Sequence, residues 1–341
     1  MWDRFDVDDL DNFVKAVDDA GGVQALYGGI APGSVELSYR TIVDDTLDPF
    51  SEEYVSQQIA LYEELAGRHL DQEIGEQANV GVDEKIDTPN PYGSNDIGFI
   101  AKHSRAILSG IMAANLAPGA SILDMGCGWG MSTQLMAFCG AQVTALDINP
   151  AFIELNRRRA ERLNLPVKTV LSTFDTFETD ERFDCGFFYE CLHHAVRPWE
   201  VIERVGRFLN PGAKIVLAAE PYVEFFRHWG LRIEPLSFYC IRKFGWFESG
   251  WTMEFITACF DRVGWDLAFA PIIGLDNGMI GVAHRKDEAA DHDFFIAAPY
   301  MHLAQSFHDL SARHIELARQ HDELRNELNV VLAKRKIKLL D

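Results

Sequence analysis

Between Gly98 and His284 the apolar residues follow two rhythms, one near the helical repeat and one of short unbroken runs. A helical stretch reaches Leu116, and Pro118-Gly119 breaks it before the apolar run from Ser121 to Met125. Gly126 to Gly130 turns the chain into a helix that Gly140 ends, and Val143 to Ile148 reads as a second strand. Pro150 stands at the start of the next helix, Val167 to Leu171 is a third strand and Phe183 to Tyr189 a fourth. Pro198 to Leu209 is helical, and Asn210-Pro211-Gly212 leads into a strand from Lys214 to Ala219. After a further helix, Thr252 to Val263, the runs Trp265 to Ile273 and Met279 to His284 flank Gly274-Leu275-Asp276-Asn277-Gly278, a hairpin pattern. Strands separated by helices of this length predict βαβ units. The fold class is therefore α/β, a doubly wound, mostly parallel, seven-stranded sheet with an antiparallel last strand.

Upstream, Asp3, Asp6, Asp8, Asp9 and Asp11 alternate with Trp2, Phe5, Val7, Leu10 and Phe13, which fits a short docking helix. Tyr54, Ile59, Tyr62, Leu65 and Leu70 at roughly helical spacing predict an amphipathic helix within residues 51–73. Glu73 to Asn95 is polar and turn-rich, a loop closing on Pro89-Asn90-Pro91-Tyr92-Gly93. Downstream, Asp287 to Asp293 is charged and linker-like. Leu303, Phe307, Leu310, His314, Leu317, His321, Leu324, Leu328 and Val331 then alternate spacings of four and three, a heptad seam. It fits a coiled coil that makes the protein a homo-oligomer; one amphipathic helix packed on its own domain is the competing reading. The expected organisation is an N-terminal helical and loop extension (1–97), the main domain (98–287, with an insertion at 222–251), a linker (288–299) and a C-terminal coiled-coil helix (300–341).

A chain of 341 residues, 48% hydrophobic, can bury at least one large core. Its net charge of -21 repels polyphosphates, so no nucleic-acid partner is expected. The N-terminus lacks a signal-peptide pattern, and no apolar run approaches the roughly 20 residues that span a bilayer. A soluble cytoplasmic protein is the expectation. Lys334, Arg335, Lys336 and Lys338 complement the dipole of the last helix and can also touch an anionic surface, which leaves room for peripheral membrane association. The six cysteines form no CxxC pair and no Cys/His metal spacing, so they read as buried thiols. No metal site is assigned, and chelation is expected to leave activity intact.

The chemistry concentrates in Asp124-Met125-Gly126-Cys127-Gly128-Trp129-Gly130, a glycine turn between a strand and a helix. Glycines there let the backbone turn sharply and approach a ligand closely. The glycines run GxGxG, not the dinucleotide GxGxxG, Asp124 lies two residues before the first, and an acidic surround suits a cation better than a pyrophosphate. These details favour S-adenosylmethionine, with its sulfonium and ammonium groups. Asp147 ends the second strand, where a carboxylate accepts ribose hydroxyls.

These segments resemble the class I S-adenosylmethionine-dependent methyltransferases, whose first motif reads like LDxGCGxG. The resemblance covers about Gly98 to Lys286 and extends through VTALDINP (143–150), FDCGFFYECLHHA (183–195) and FLNPGAKIVLAAEP (208–221). It implies a Rossmann-like fold, with Gly126, Cys127 and Gly128 along the methionine half of the cofactor and Asp147 and Ile148 at the ribose and adenine edge. Where the family often has an Asp to contact the adenine amino group, this chain has Ser172-Thr173-Phe174-Asp175, so Thr173 and Asp175 both stand as candidates. The backbone of Glu190 occupies the position that typically faces the methionine ammonium group.

His193 and His194 follow Glu190 at the carboxyl edge of the sheet. Methyl transfer is an in-line displacement in which the protein aligns the reactants, and a His can remove a hydroxyl proton. Either His can serve as base, His194 slightly favoured; the competing reading is an ordinary helix start. Aromatic residues fill about a third of the insertion from Tyr222 to Trp251, against 11% of the chain. Tyr222, Trp229, Trp246 and Trp251 are the candidate substrate-binding residues, since rings with polar tips stack on sugar faces or flat rings; lid core packing accounts for them equally well. The leading function is O-methylation of a hydroxyl, with a saccharide or glycan terminus as first acceptor. N- or C-methylation of a small metabolite and a non-catalytic scaffold are the alternatives.

Overall fold

Each chain break predicted from Gly, Pro and Asn pairs falls at or near an element end in the computed structural model, which describes residues 4–27, 36–71, 81–272, 275, 278–287, 317, 321, 324 and 325. The N-terminal part contains β1 (Arg4–Asp6), α1 (Leu10–Ala20), α2 (Val23–Tyr27), β2 (Glu36–Ser38), α3 (Glu52–Ala66) and α4 (Val82–Ile86). Ser51 caps α3 through its side chain, and Gly67 ends it in the left-handed conformation. The β1–β2 pairing and α4 were not foreseen, because segments of three to five residues carry no readable period.

The main domain runs through α5 (Ile97–Ala114), β3 (Ser121–Met125), α6 (Met131–Phe138), β4 (Gln142–Asp147), α7 (Pro150–Leu163), β5 (Val167–Leu171), β6 (Phe183–Tyr189), α8 (Pro198–Arg207) and β7 (Leu209–Ala218). The insertion follows with β8 (Trp229–Leu231), α9 (Pro235–Phe244) and β9 (Ser249–Trp251), and the fold closes with α10 (Met253–Arg262), β10 (Trp265–Pro271) and β11 (Met279–Arg285). The main sheet has seven strands in the order β10-β11-β7-β6-β3-β4-β5. Only β11 runs antiparallel to its neighbours, as the hairpin pattern predicted. Strand β7 starts earlier than expected because Leu209 pairs with Phe183 and Lys214 with Cys185, so the turn residues between them bulge from the ladder.

The chain moves outward in both directions from β3, to β4 and β5 on one side and to β6 and β7 on the other. This reversal opens a crevice at the carboxyl ends of β3 and β6, the place where open α/β sheets bind ligands. Aliphatic and aromatic side chains cover both sheet faces, with Leu123, Phe188 and Leu217 in one buried cluster and Ile122, Phe187 and Val216 in the other.

The aromatic insertion is sandwiched, not a free flap. Phe13 of α1 packs on Phe238 of α9 with ring centroids 4.8 Å apart, and Tyr62 of α3 donates to the Gly245 carbonyl at 2.7 Å. Tyr54 donates to the Trp229 carbonyl, and the Trp229 indole donates to the Pro49 carbonyl at 3.0 Å. Buried side chains of α1, β2 and α3 therefore share one hydrophobic core with the insertion and the sheet. The linker and most of the heptad arm lie outside the described residues. Of the seam, Leu317, His321 and Leu324 are helical and exposed, the two leucines at 63% and 65%. No helix among the described residues is long and apolar enough to cross a membrane.

Truncating fully buried Phe238 to Ala should cost about 3–5 kcal/mol in denaturant unfolding. A double-mutant cycle with Phe13→Ala should give a coupling of at least about 0.5 kcal/mol. Strict additivity would show that α1 does not support the insertion.

Candidate active site

The glycine turn after β3 is held by groups from two other elements. The Gly128 N–H donates to the Asp147 carboxylate at the end of β4 at 2.8 Å, and the Asn149 N–H donates to its other oxygen at 2.8 Å. From α7, the Asn156 carboxamide donates to the Gly128 carbonyl at 2.9 Å. Gly126, Gly128 and Gly130 all have positive φ. A Cβ on Gly130 would lie 1.9 Å from the Asn156 carboxamide oxygen, and one on Gly126 would lie 2.9 Å from the Cys191 Cβ. At Gly128 a Cβ would meet only the Gly126 carbonyl, at 4.0 Å; the space in front of it is the cavity.

That cavity has a volume of about 330 Å³. Gly126, Cys127, Gly128, Asp147, Ile148, Thr173, Phe174, Asp175, Glu190, His194 and Trp246 all contribute to its wall, so the fold gathers most of the sequence candidates in one place. Others it places elsewhere. Asp124 is buried behind the turn, where its carboxylate accepts from Ser132 at 2.9 Å and Thr133 at 2.5 Å. Burial pushes its carboxyl up to about 7 against these hydrogen bonds. Gly130 stands behind the cavity as the residue before α6. Trp229 and Trp251 are buried in the core shared with α3 and α10, and Tyr222 packs against Phe269. These three do not reach the cavity wall, because the N-terminal layer draws the insertion's rings inward.

His193 and His194 part company. His193 is buried with Nδ1 2.9 Å from the Glu220 carboxylate and Nε2 3.7 Å from that of Glu248. Burial alone would lower its pKa, but the hydrogen bond to Glu220 and the nearby Glu248 carboxylate outweigh this and hold the imidazole up at about 9. His194 lines the cavity, and its Nδ1–H donates to the Phe247 carbonyl at 3.2 Å. Burial, then the charge of His193, pushes it down to about 4, so it is neutral near pH 7. Asp147 is raised to about 6 by burial, opposed by backbone N–H groups.

Residues 123–217 match a protein family described as "Methyltransferase domain". This part of the chain is similar to a methyltransferase domain. The chain is 32% identical over 102 residues to the ubiquinone biosynthesis O-methyltransferase of Xanthomonas oryzae pv. oryzae, covering 29% of this chain and 43% of that protein. It is 32% identical over 110 residues to the protein of the same name from Xanthomonas campestris pv. campestris, covering 31% and 46%. The chain thus spans less than half the length of these curated relatives. Among solved structures, the Burkholderia thailandensis 1,6-didemethyltoxoflavin-N1-methyltransferase superposes with a TM-score of 0.43 at 19% identity, over 56% of this chain and 82% of that one.

The cavity also has lining residues that sequence patterns did not reveal. Tyr92 comes from the loop before α5, His103 from α5, Trp129 from the glycine turn and Tyr189 from the end of β6. His103 Nδ1 bonds the Tyr189 hydroxyl and lies 3.6 Å from the Glu190 carboxylate. Arg159, buried in α7, clamps the Tyr92 loop by donating to the carbonyls of Lys85 at 2.7 Å, Ile86 at 3.1 Å and Thr88 at 2.9 Å. A run of Pro, Asn and Gly signals a loop but not what it faces. The fold further brings His193, His194 and Glu248 together, with one potential ligand atom from each within 4.8 Å of the others.

The two histidines should titrate far apart in NMR spectra of chelator-treated, histidine-labelled protein: His194 neutral until the pH falls toward 4, His193 charged until it rises toward 9. Since the folded pKa of His193 lies above its unfolded value of about 6.5, its contribution to stability is full below that value and lost as pH rises through about 9. That of His194, whose folded pKa is lower, is present above about 6.5 and lost as pH falls through about 4. Glu220→Gln should remove the alkaline limb. Parallel titrations of both rings near 6.5 would contradict the assigned ion pair.

Proposed function

We propose that the cavity binds S-adenosylmethionine and that the protein transfers its methyl group to a hydroxyl oxygen. The observation that carries this reading is the open face of the glycine turn: Gly128 presents bare backbone to the cavity while its N–H is fixed by the Asp147 carboxylate, which lines the same cavity. The donor set fits the cofactor. Asp147 would accept ribose hydroxyls, Ile148 and Phe174 would offer apolar contact to the adenine ring, and Thr173 and Asp175 are the candidates for its edge, all five lining the cavity. Asp147, Asp175 and Glu190 give the wall the negative charge that suits a sulfonium and an ammonium group.

When bound, the cofactor supplies an electrophilic methyl group on a cationic sulfur. The protein's part is alignment and exclusion of water. Trp129, Trp246 and Tyr92 present ring surfaces that suit a sugar face or an aromatic ring, and neutral His194 can accept a hydrogen bond from the acceptor hydroxyl and orient its oxygen. The oxygen preference accords with the named activity of the Xanthomonas relatives. A saccharide or glycan terminus remains our first acceptor and an aromatic hydroxyl the second. His193 is removed from the role of base by its place behind the wall and its two carboxylate partners.

We further propose that the chain self-associates through the heptad seam, since Leu317 and Leu324 stand exposed on a helix and would be covered by a second copy. Light scattering should give a larger mass per particle for the full chain than for a version ending near Asp291, after allowing for the deleted residues. Equal numbers of subunits would remove the arm from any role in assembly.

The methyl-transfer reading is tested by calorimetry with S-adenosylmethionine and by an acceptor screen with methyl-labelled cofactor, including saccharides of defined terminus. Gly128→Val should weaken cofactor binding by about 10–100-fold, a side chain forced into occupied space costing roughly 1–3 kcal/mol. Cofactor affinity of the wild type should fall as pH drops through about 6, because protonation removes an Asp147 acceptor; Asp147→Asn should flatten that dependence. Wild-type affinity in both variants would sink the cofactor assignment, and label recovered only on nitrogen or carbon would sink O-methylation.

A further inference from the structure

Where His194 meets the cavity wall, three side chains from distant parts of the chain bring metal-binding atoms close to one another. His193 and His194 come from the turn after β6, Glu248 from the segment between α9 and β9. The two histidines share a pattern typical of metal ligands, in which one ring nitrogen is committed to an outer acceptor so that the other is oriented toward the ion. Nδ1 of His193 bonds Glu220 at 2.9 Å, and Nδ1 of His194 bonds the Phe247 carbonyl at 3.2 Å. His193 in turn directs Nε2 toward the Glu248 carboxylate, 3.7 Å away. Glu220 is itself fixed by the backbone N–H groups of Cys191 at 2.9 Å, Leu192 at 2.9 Å and His193 at 3.2 Å, so it acts as a rigid support.

We propose that His193, His194 and Glu248 bind a divalent transition-metal ion, of the zinc class, at the wall of the methyl-transfer cavity. Two imidazoles and one carboxylate form a donor set suited to such ions. A tetrahedral ion with bonds of about 2.0–2.1 Å needs its donors roughly 3.3 Å apart. The three donors now lie within 4.8 Å of one another, and the side chains must close to that separation on binding. Apart from His193, Arg232 is the cation nearest to Glu248 among the described ion pairs. Its Nη1 lies 3.7 Å from Glu248, but its closer partner is Glu234, at 2.5 Å. In the metal-free protein the buried carboxylates of Glu220 and Glu248 surround one imidazole, and the same negative field favours a dication in place of a proton.

Of the three, His194 alone lines the cavity, so an acceptor in the cavity would approach the ion from that side. There a hydroxyl oxygen can bind the ion and release its proton to solvent, then form the new C–O bond as the methyl–sulfur bond breaks. In this arrangement the ion carried by His194 holds the oxygen, in place of a hydrogen bond to the ring. This role rests on the methyl-transfer reading; occupancy of the site does not.

The test uses the full chain, stripped with chelator and dialysed against Co²⁺ or Zn²⁺. Elemental analysis should find one ion per chain, and Co²⁺ should show intensified visible absorption of a site with fewer than six ligands. Glu248→Gln and His193→Gln should each abolish uptake, Glu220→Gln should weaken it by about 10–100-fold, and Gly128→Val should leave it unchanged. Retained uptake in both ligand variants, or less than stoichiometric uptake by the wild type, overturns the proposal. Should a ligand variant fail to fold, Co²⁺-induced shifts of the His193 and His194 resonances in the wild type decide the matter, and unshifted resonances count against the site. Cofactor calorimetry is independent of these readouts, so failure of one reading leaves the other standing.

Discussion

A single carboxylate holds the site in shape. Asp147 reaches from the end of β4 to the backbone of the neighbouring turn, where it takes the N–H of Gly128 and, on its own side, that of Asn149. Asn156 grips the same peptide segment from behind through the Gly128 carbonyl. The turn has positive φ at three glycines and cannot rely on regular secondary structure for its hydrogen bonds. Backbone bonds brace it as well, from Cys127 N–H to the Leu146 carbonyl at 2.9 Å and from Gly130 N–H to the Cys127 carbonyl at 2.8 Å, but Asp147 and Asn156 fix both sides of the Gly128 peptide. Burial raises the Asp147 carboxyl, so a group that organises the turn is also poised to lose its charge in mild acid.

The rest of the molecule encloses this floor. Arg159 ties the Tyr92 loop to α7, which closes one side, and the aromatic insertion closes the other with Trp246. The insertion is stiffened by what lies on it: α1 and α3 cover Phe238 and Phe247, and their polar tips bond its backbone. Acceptor selection therefore falls to a small set of cavity rings held from outside by the N-terminal layer.

The parallel core was legible because each strand and helix there is long enough to show its period and is bounded by Gly, Pro or Asn. The glycine turn was legible for a related reason, since only glycine fits those backbone angles and Asp147 ends the adjacent strand. The insertion was not. Its aromatic residues signalled burial or binding with equal force, and only the docking of α1 and α3 separates Trp229 and Trp251, which are core, from Trp246, which faces the cavity. Likewise, no linear spacing joins His193 and His194 to Glu248, because β7, β8 and α9 intervene. The sequence favoured His194 over His193 only slightly; the short helical turn separates them, sending His193 inward to Glu220 and His194 to the wall.

The central claim is that the turns at the carboxyl ends of β3, β4, β5 and β6 form one cofactor site. Hydrogen–deuterium exchange with and without S-adenosylhomocysteine tests it most directly. The account predicts slowed exchange in all four segments, Gly126 to Trp129, Asp147 to Ile148, Ser172 to Asp175 and Glu190 to His194, with little change in α8 or α10. Unchanged exchange in these turns at saturating ligand, or protection confined to another region, would contradict it.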